Sequence, residues 1–108
     1  MELSMLLFHL GITPNYKAYN QIITAISLTL KNADILLCMT KQLYPAIAQQ
    51  HRTSWRAVER NIRLTSERAW RCNPVLLTQL AGHPLTAPPT TSQFIAILTA
   101  WQMKEQAD

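Results

Sequence analysis

The sequence predicts an all-α domain, compact and built from five or six helices. Three observations carry that expectation. Apolar residues recur at helical spacing along most of the chain, and no stretch shows the alternation of a strand. Gly11 and Gly82 are the only glycines, too few for a turn-rich β-sandwich. With 108 residues, 48% of them apolar, the chain can bury one core but not two, so residues 1–108 read as a single domain.

The elements follow in order. Leu3, Leu6, Leu7 and Leu10 form one stripe on a first short helix, which Gly11 ends. Thr13-Pro14-Asn15 is a turn. Tyr19, Ile22, Ile23, Ile26 and Leu30 make a second stripe over residues 16–30, and the polar run 31–34 interrupts it. Leu36, Leu37, Leu43, Ile47 and Ala48 carry a third apolar stretch with Pro45 inside it. Proline past the first turn of a helix loses a hydrogen bond, so either this helix begins near residues 40–44 or the chain kinks there. Thr53 and Ser54 offer N-cap hydroxyls to a fourth helix over about residues 55–71, which Asn73-Pro74 breaks. Residues 75–80 add one or two turns closed by Gly82, and three prolines make 83–89 a loop. Thr90-Thr91-Ser92-Gln93 reads as a capping box for a last helix to about residue 104. Phe94, Ile95, Ile97, Leu98 and Trp101 make that helix apolar on more than one side, which leaves a surplus face to pair two protomers. Trp70 and Trp101 are expected in or against the core.

Charge is segregated. Arg52, Arg56, Arg60, Arg63, Arg68 and Arg71 face only Glu59 and Glu67, so this stretch carries the whole chain's formal net charge of +4. At about 100° per residue, Arg56, Arg60 and Arg63 lie within about 60° of one another, with Val58, Ile62, Thr65 and Ala69 opposite. A helix over residues 41–50, a polar turn at 51–54 and then the arginine helix is the order of a helix-turn-helix. Ile47 and Ala48 would join the two helices, and Val58 and Ile62 would enter the core. Asn61 departs from the motif, standing where an apolar residue is preferred.

The resulting expectation is sequence-specific binding of double-stranded DNA by a transcription regulator. The helix over residues 55–71 would enter the major groove, with Arg52, Arg56, Glu59, Arg60 and Arg63 at the DNA. Arg60 and Arg63 suit guanine or phosphate, because a guanidinium fork matches guanine O6 and N7. Trp55 either covers the turn or lies against the DNA backbone. The alternative is a helical protein-interaction module whose basic helix meets an acidic partner.

Other classes are not expected. Cys38 and Cys72 lack metal-site spacing and read as reduced cytoplasmic thiols, so neither a metal nor a cofactor is called for. No run approaches about 18 apolar residues, which argues against a membrane span. The first eleven residues lack a basic leading segment and contain Glu2 and His9, unlike a signal peptide. His51, Glu59 and Cys72 form no nucleophile motif, so no enzymatic activity is expected. His9 and His83 read as helix-end or loop residues.

Certain strings are specific. Leu43-Tyr44-Pro45-Ala46-Ile47-Ala48, Val58-Glu59-Arg60-Asn61-Ile62-Arg63 and Ala69-Trp70 resemble the C-terminal DNA-binding effector domain of the stage-zero sporulation protein A family, the sporulation response regulators. The likeness runs colinearly from His9-Leu10-Gly11-Ile12 and Lys17-Ala18-Tyr19 to Pro89-Thr90-Thr91-Ser92-Gln93-Phe94-Ile95-Ala96. It implies a six-helix domain that works as a tandem homodimer on duplicated DNA boxes, with an RNA polymerase sigma subunit as a further partner. It also implies that the positions of Arg56, Ala57, Glu59, Arg60, Arg63 and Leu64 read DNA, with Glu59 accepting from a cytosine amino group or orienting a neighbouring arginine. Departures from the family pattern limit the carry-over. Ser then Arg in the family is Arg56 then Ala57 here, which turns one arginine by about 100°. Leu64 replaces a basic or polar residue and Trp55 a proline, and the loop before the last helix is shorter and lacks the family's lysines. The family's DNA box therefore does not transfer to this chain. Nothing resembles the family's receiver domain, and Asp34 reads as a loop or cap residue. Hence the chain is either an excised effector domain or a free-standing paralogue that pairs with or titrates a full-length regulator.

Overall fold

A computed structural model, describing residues 1–107, places six α-helices: α1 (Leu3–His9), α2 (Lys17–Lys31), α3 (Tyr44–His51), α4 (Trp55–Cys72), α5 (Pro74–Ala81) and α6 (Thr91–Ala107). Among the described residues there is no strand. The radius of gyration, 12.8 Å, is close to the roughly 13 Å expected of one packed domain this long.

One core unites the helices. Leu6, Leu7 and Leu10 of the first segment meet Ile22 and Ile26 of α2, Ile47 of α3, Val58 and Ile62 of α4, and Phe94, Ile95 and Leu98 of α6. Trp70 and Trp101 pack against this cluster from its edge. The turn after α1 requires glycine on two counts. Gly11 has φ +81°, and a Cβ there would lie 2.6 Å from Cys72 Sγ.

Between α2 and α3 the chain departs from the expected apolar helical stretch. Residues 33–38 form a 3₁₀ segment, begun by the Asn32 side chain accepting from the Asp34 N–H at 3.2 Å, and residues 39–43 form a π-turn. Three residues per turn wind the apolar run 35–37 around the axis instead of along one face. Ile35 and Leu36 are half-buried while Leu37 is 83% exposed. Helix α3 then opens at Tyr44 with Pro45 in its first turn, where a missing N–H costs least.

The α4 helix is the spine, in contact with α2, α3, α5 and α6. Ser54 caps it, its Oγ accepting the Ala57 N–H at 3.1 Å. Val58, Ile62, Thr65, Ser66 and Ala69 form its buried side. Ser66 Oγ donates to the Pro89 carbonyl at 2.7 Å and tethers the proline loop to the helix. Asn73 caps α5 through the Leu76 N–H at 3.2 Å, and Gly82 closes it at φ +78°. The capping box of α6 is reciprocal: the Thr90 N–H reaches Gln93 Oε1 at 3.0 Å, and the Gln93 N–H reaches Thr90 Oγ1 at 3.2 Å.

The surplus apolar face expected on α6 is narrower than the sequence suggests. Ile97 is half-buried in a small cleft beside Leu85 and Pro89, because the proline loop folds back over it. The fully exposed side carries Gln93, Ala100, Met103 and Lys104.

Candidate nucleic-acid interface

Helix α3 meets α4 through a three-residue turn, residues 52–54. Arg52 adopts the left-handed conformation, φ 54° and ψ 49°, and the Thr53 N–H returns to the Ala48 carbonyl at 3.0 Å. This closure reverses the chain, and extended Ser54 then launches α4. Ile47 and Ala48 are buried where the helices meet, as the helix-turn-helix order requires. His51 Nε2 lies 2.8 Å from Thr24 Oγ1, fastening the end of α3 to α2.

Arg56, Arg60 and Arg63 are exposed on the side of α4 opposite Val58 and Ile62. Their surroundings differ. Arg60 has no ion-pair partner among the described residues. The Arg56 guanidinium carbon lies 5.3 Å from the Trp55 ring centroid, and Trp55, 38% exposed, sits at the mouth of the turn. Arg63 Nε donates to Glu59 Oε1 at 3.0 Å, and Glu67 Oε1 stands 3.9 Å from its Nη1. Exposed i,i+4 pairs contribute only about 0.3–0.5 kcal/mol, so a phosphate or guanine edge can draw Arg63 away from its carboxylates. Leu64, 44% exposed, lies on the same side of the helix.

Two residues resolve differently from their sequence pattern. Arg68 does not join the basic face. It lies about 140° around the axis from Arg63, its Nε donates to the Gly11 carbonyl at 2.7 Å, and its guanidinium covers the Tyr16 ring at 4.8 Å. Asn61, the polar residue in an apolar position, donates through Nδ2 to Gln21 Oε1 of α2 at 3.1 Å. That hydrogen bond makes a polar group tolerable between packed helices.

The structure also brings to this surface residues that helical periodicity within α4 could not supply. Lys17, Asn20 and Gln21 of α2 line a polar cleft with Arg52, Ala57 and Asn61. The mismatch at Asn61 was the one available signal, since a polar residue on a packed face calls for a polar partner.

Behind the turn, Tyr44 is 5% exposed. Burial pushes its phenol above the ordinary value of 10.0, with the nearby Glu59 charge adding to the rise and a Thr91 hydrogen bond opposing it. Among the described residues, no three His, Cys, Asp or Glu side chains gather as a metal site, and no helix is long and apolar enough to cross a membrane.

The family model described as sporulation initiation factor Spo0A C terminal matches residues 3–101, from the start of α1 into the middle of α6. The chain therefore belongs to the Spo0A C-terminal family, one of DNA-binding effector domains and not of enzymes.

Proposed function

We propose that this chain, acting as one domain, is a sequence-specific transcription regulator of double-stranded DNA, with the N-terminal half of α4 in the major groove. The observation that carries the reading is the division of α4: Arg56, Arg60 and Arg63 stand exposed on one side while Val58 and Ile62 anchor the other in the core. An anchored helix holds its arginines at defined heights, which base readout requires. Arg60, with no ion-pair partner among the described residues, is the candidate for a bidentate guanine contact, and Arg63 with Glu59 forms a second, coupled reader. Arg52 at the turn is placed for a phosphate, and Arg56 stacked on Trp55 for a phosphate or base edge. Two copies would occupy adjacent boxes in tandem, with the exposed side of α6 as the candidate contact.

Selection from random duplexes followed by anisotropy titrations tests this. An enriched box, bound with a steep log-linear loss of affinity in salt, is the expected result. Arg60→Ala and Arg63→Ala should each weaken that complex by roughly 1–3 kcal/mol without lowering the melting temperature. No enriched sequence, together with a salt-insensitive affinity, would end the DNA reading and favour an acidic protein partner.

A further inference from the structure

The two flanks of the arginine face carry opposite chemistry. Both α4 carboxylates stand beside Arg63: Glu59 on the flank away from α2, and Glu67 within the arginine face, where it borders a cleft that runs to the proline loop at Pro89 and Thr90. The other flank faces α2. There, two clefts border the edge of α4 that carries Ala57, Asn61 and Leu64. Lys17 and Arg52 stand across the first, while Lys17, Arg68 and Arg71 surround the second. Lys17 and Asn61 line both, so the clefts run into each other. Among the described residues, no carboxylate lines either one.

We propose that this α2-side flank is a track for the phosphates of one DNA strand, formed by Lys17, Arg52 and Arg71; the proposal rests on the reading of α4 as the groove helix. All three side chains are exposed, and none has an ion-pair partner among the described residues. Arg68, held by Gly11 and Tyr16, serves as a fixed wall between them. Surfaces that merely face water usually intersperse both signs of charge; a carboxylate-free edge suits a polyanion. The length fits as well. The 18 residues of α4 extend about 27 Å at 1.5 Å each, several phosphate spacings, with Arg52 at the start, Lys17 alongside and Arg71 at the end. A helix in the major groove has one strand along each side. Here the strand on the α2 side would meet three cations that have no ion-pair partner among the described residues, while the strand on the other side would meet Glu59. The domain thus holds one strand more firmly than the other and takes its orientation on the duplex from that difference.

The test is a salt series with the selected duplex and a random duplex, using wild type, Lys17→Gln, Arg71→Gln, Arg60→Ala and, at the far end of α2, the exposed Lys31→Gln. Glutamine removes the charge but keeps an unbranched, helix-compatible side chain at exposed positions, so melts should be unchanged. Lys17→Gln and Arg71→Gln should each reduce the slope of log affinity against log salt by about one and weaken both duplexes by the same factor. Lys31→Gln should match wild type. Wild-type slopes for both Lys17→Gln and Arg71→Gln would overturn the track. The Arg60→Ala arm reports on the base reading separately. If it keeps full preference for the selected duplex while the two slopes fall, the phosphate track stands and the assignment of α4 as reader falls.

Discussion

Arg68 Nε donates to the carbonyl of Gly11 at 2.7 Å, so one of the six clustered arginines belongs to the fold. The same guanidinium lies over Tyr16, which joins α4 to both ends of the α1–α2 turn. Arg68→Ala should leave the Gly11 carbonyl without its partner and cost about 1–3 kcal/mol. Arg68→Lys should restore only part of it, because an ammonium cannot reproduce the planar stacking. Urea midpoints of both variants measure this, and an Arg68→Ala midpoint equal to wild type would show the contact to be energetically idle.

Arg52 occupies a left-handed turn position where glycine is the unstrained choice. A side chain there costs about 1–2 kcal/mol, partly offset because glycine adds about 0.4–1 kcal/mol of unfolded-state entropy. Arg52→Gly is therefore expected to fold as stably as wild type, or up to about 1 kcal/mol more stably, while binding DNA more weakly. Parallel melting and anisotropy measurements separate the two effects. A clear drop in melting temperature would mean that the Arg52 side chain supports the turn.

The Tyr44 phenol predicts a loss of stability at high pH. Because burial, the largest cause, raises its folded value, the unfolded chain releases the proton first as pH climbs past 10.0. Its contribution is complete below that pH and is lost progressively above it. Urea midpoints at pH 8, 10 and 11 should fall more for wild type than for Tyr44→Phe, which has no proton to release. Equal falls would show that the phenol titrates alike in both states.

Pairing on DNA is best tested at Ala100, since it is exposed and Ile97 is not. A charge at Ile97 would disturb packing against Leu85 and Pro89 as much as any partner. Ala100→Glu should lower the cooperativity of filling two adjacent boxes while leaving single-box affinity nearly unchanged. If wild type fills adjacent boxes without coupling, the tandem arrangement is wrong.

Helix ends are the most legible part of the sequence, because caps act locally: Ser54, Gly82 and the Thr90–Gln93 box stand where the sequence puts them, and Asn73, expected only to break α4, also caps α5. The exposed arginines of α4 were legible from helical periodicity as well. The misread positions depend on neighbours distant in sequence. Leu37 looked like core because its apolar type says nothing about a 3₁₀ winding, and Ile97 looked free because the proline loop that covers it folds back only in three dimensions. Arg68 stands in the basic stretch with nothing local to set it apart, because its acceptor, Gly11, is 57 residues away. Lys17 carried no local sign of lying beside α4.

The helix that holds the domain together is also the one with a bare side. On the proposed reading, a library randomised at positions 56, 60, 63 and 64 would yield mostly folded clones with scattered DNA preferences, since none of these residues is buried. The same diversity at 58, 62, 65 and 69 would yield mostly unfolded chains. Target choice can therefore drift in small steps without passing through misfolded intermediates, and two domains with superimposable backbones can come to serve different promoters.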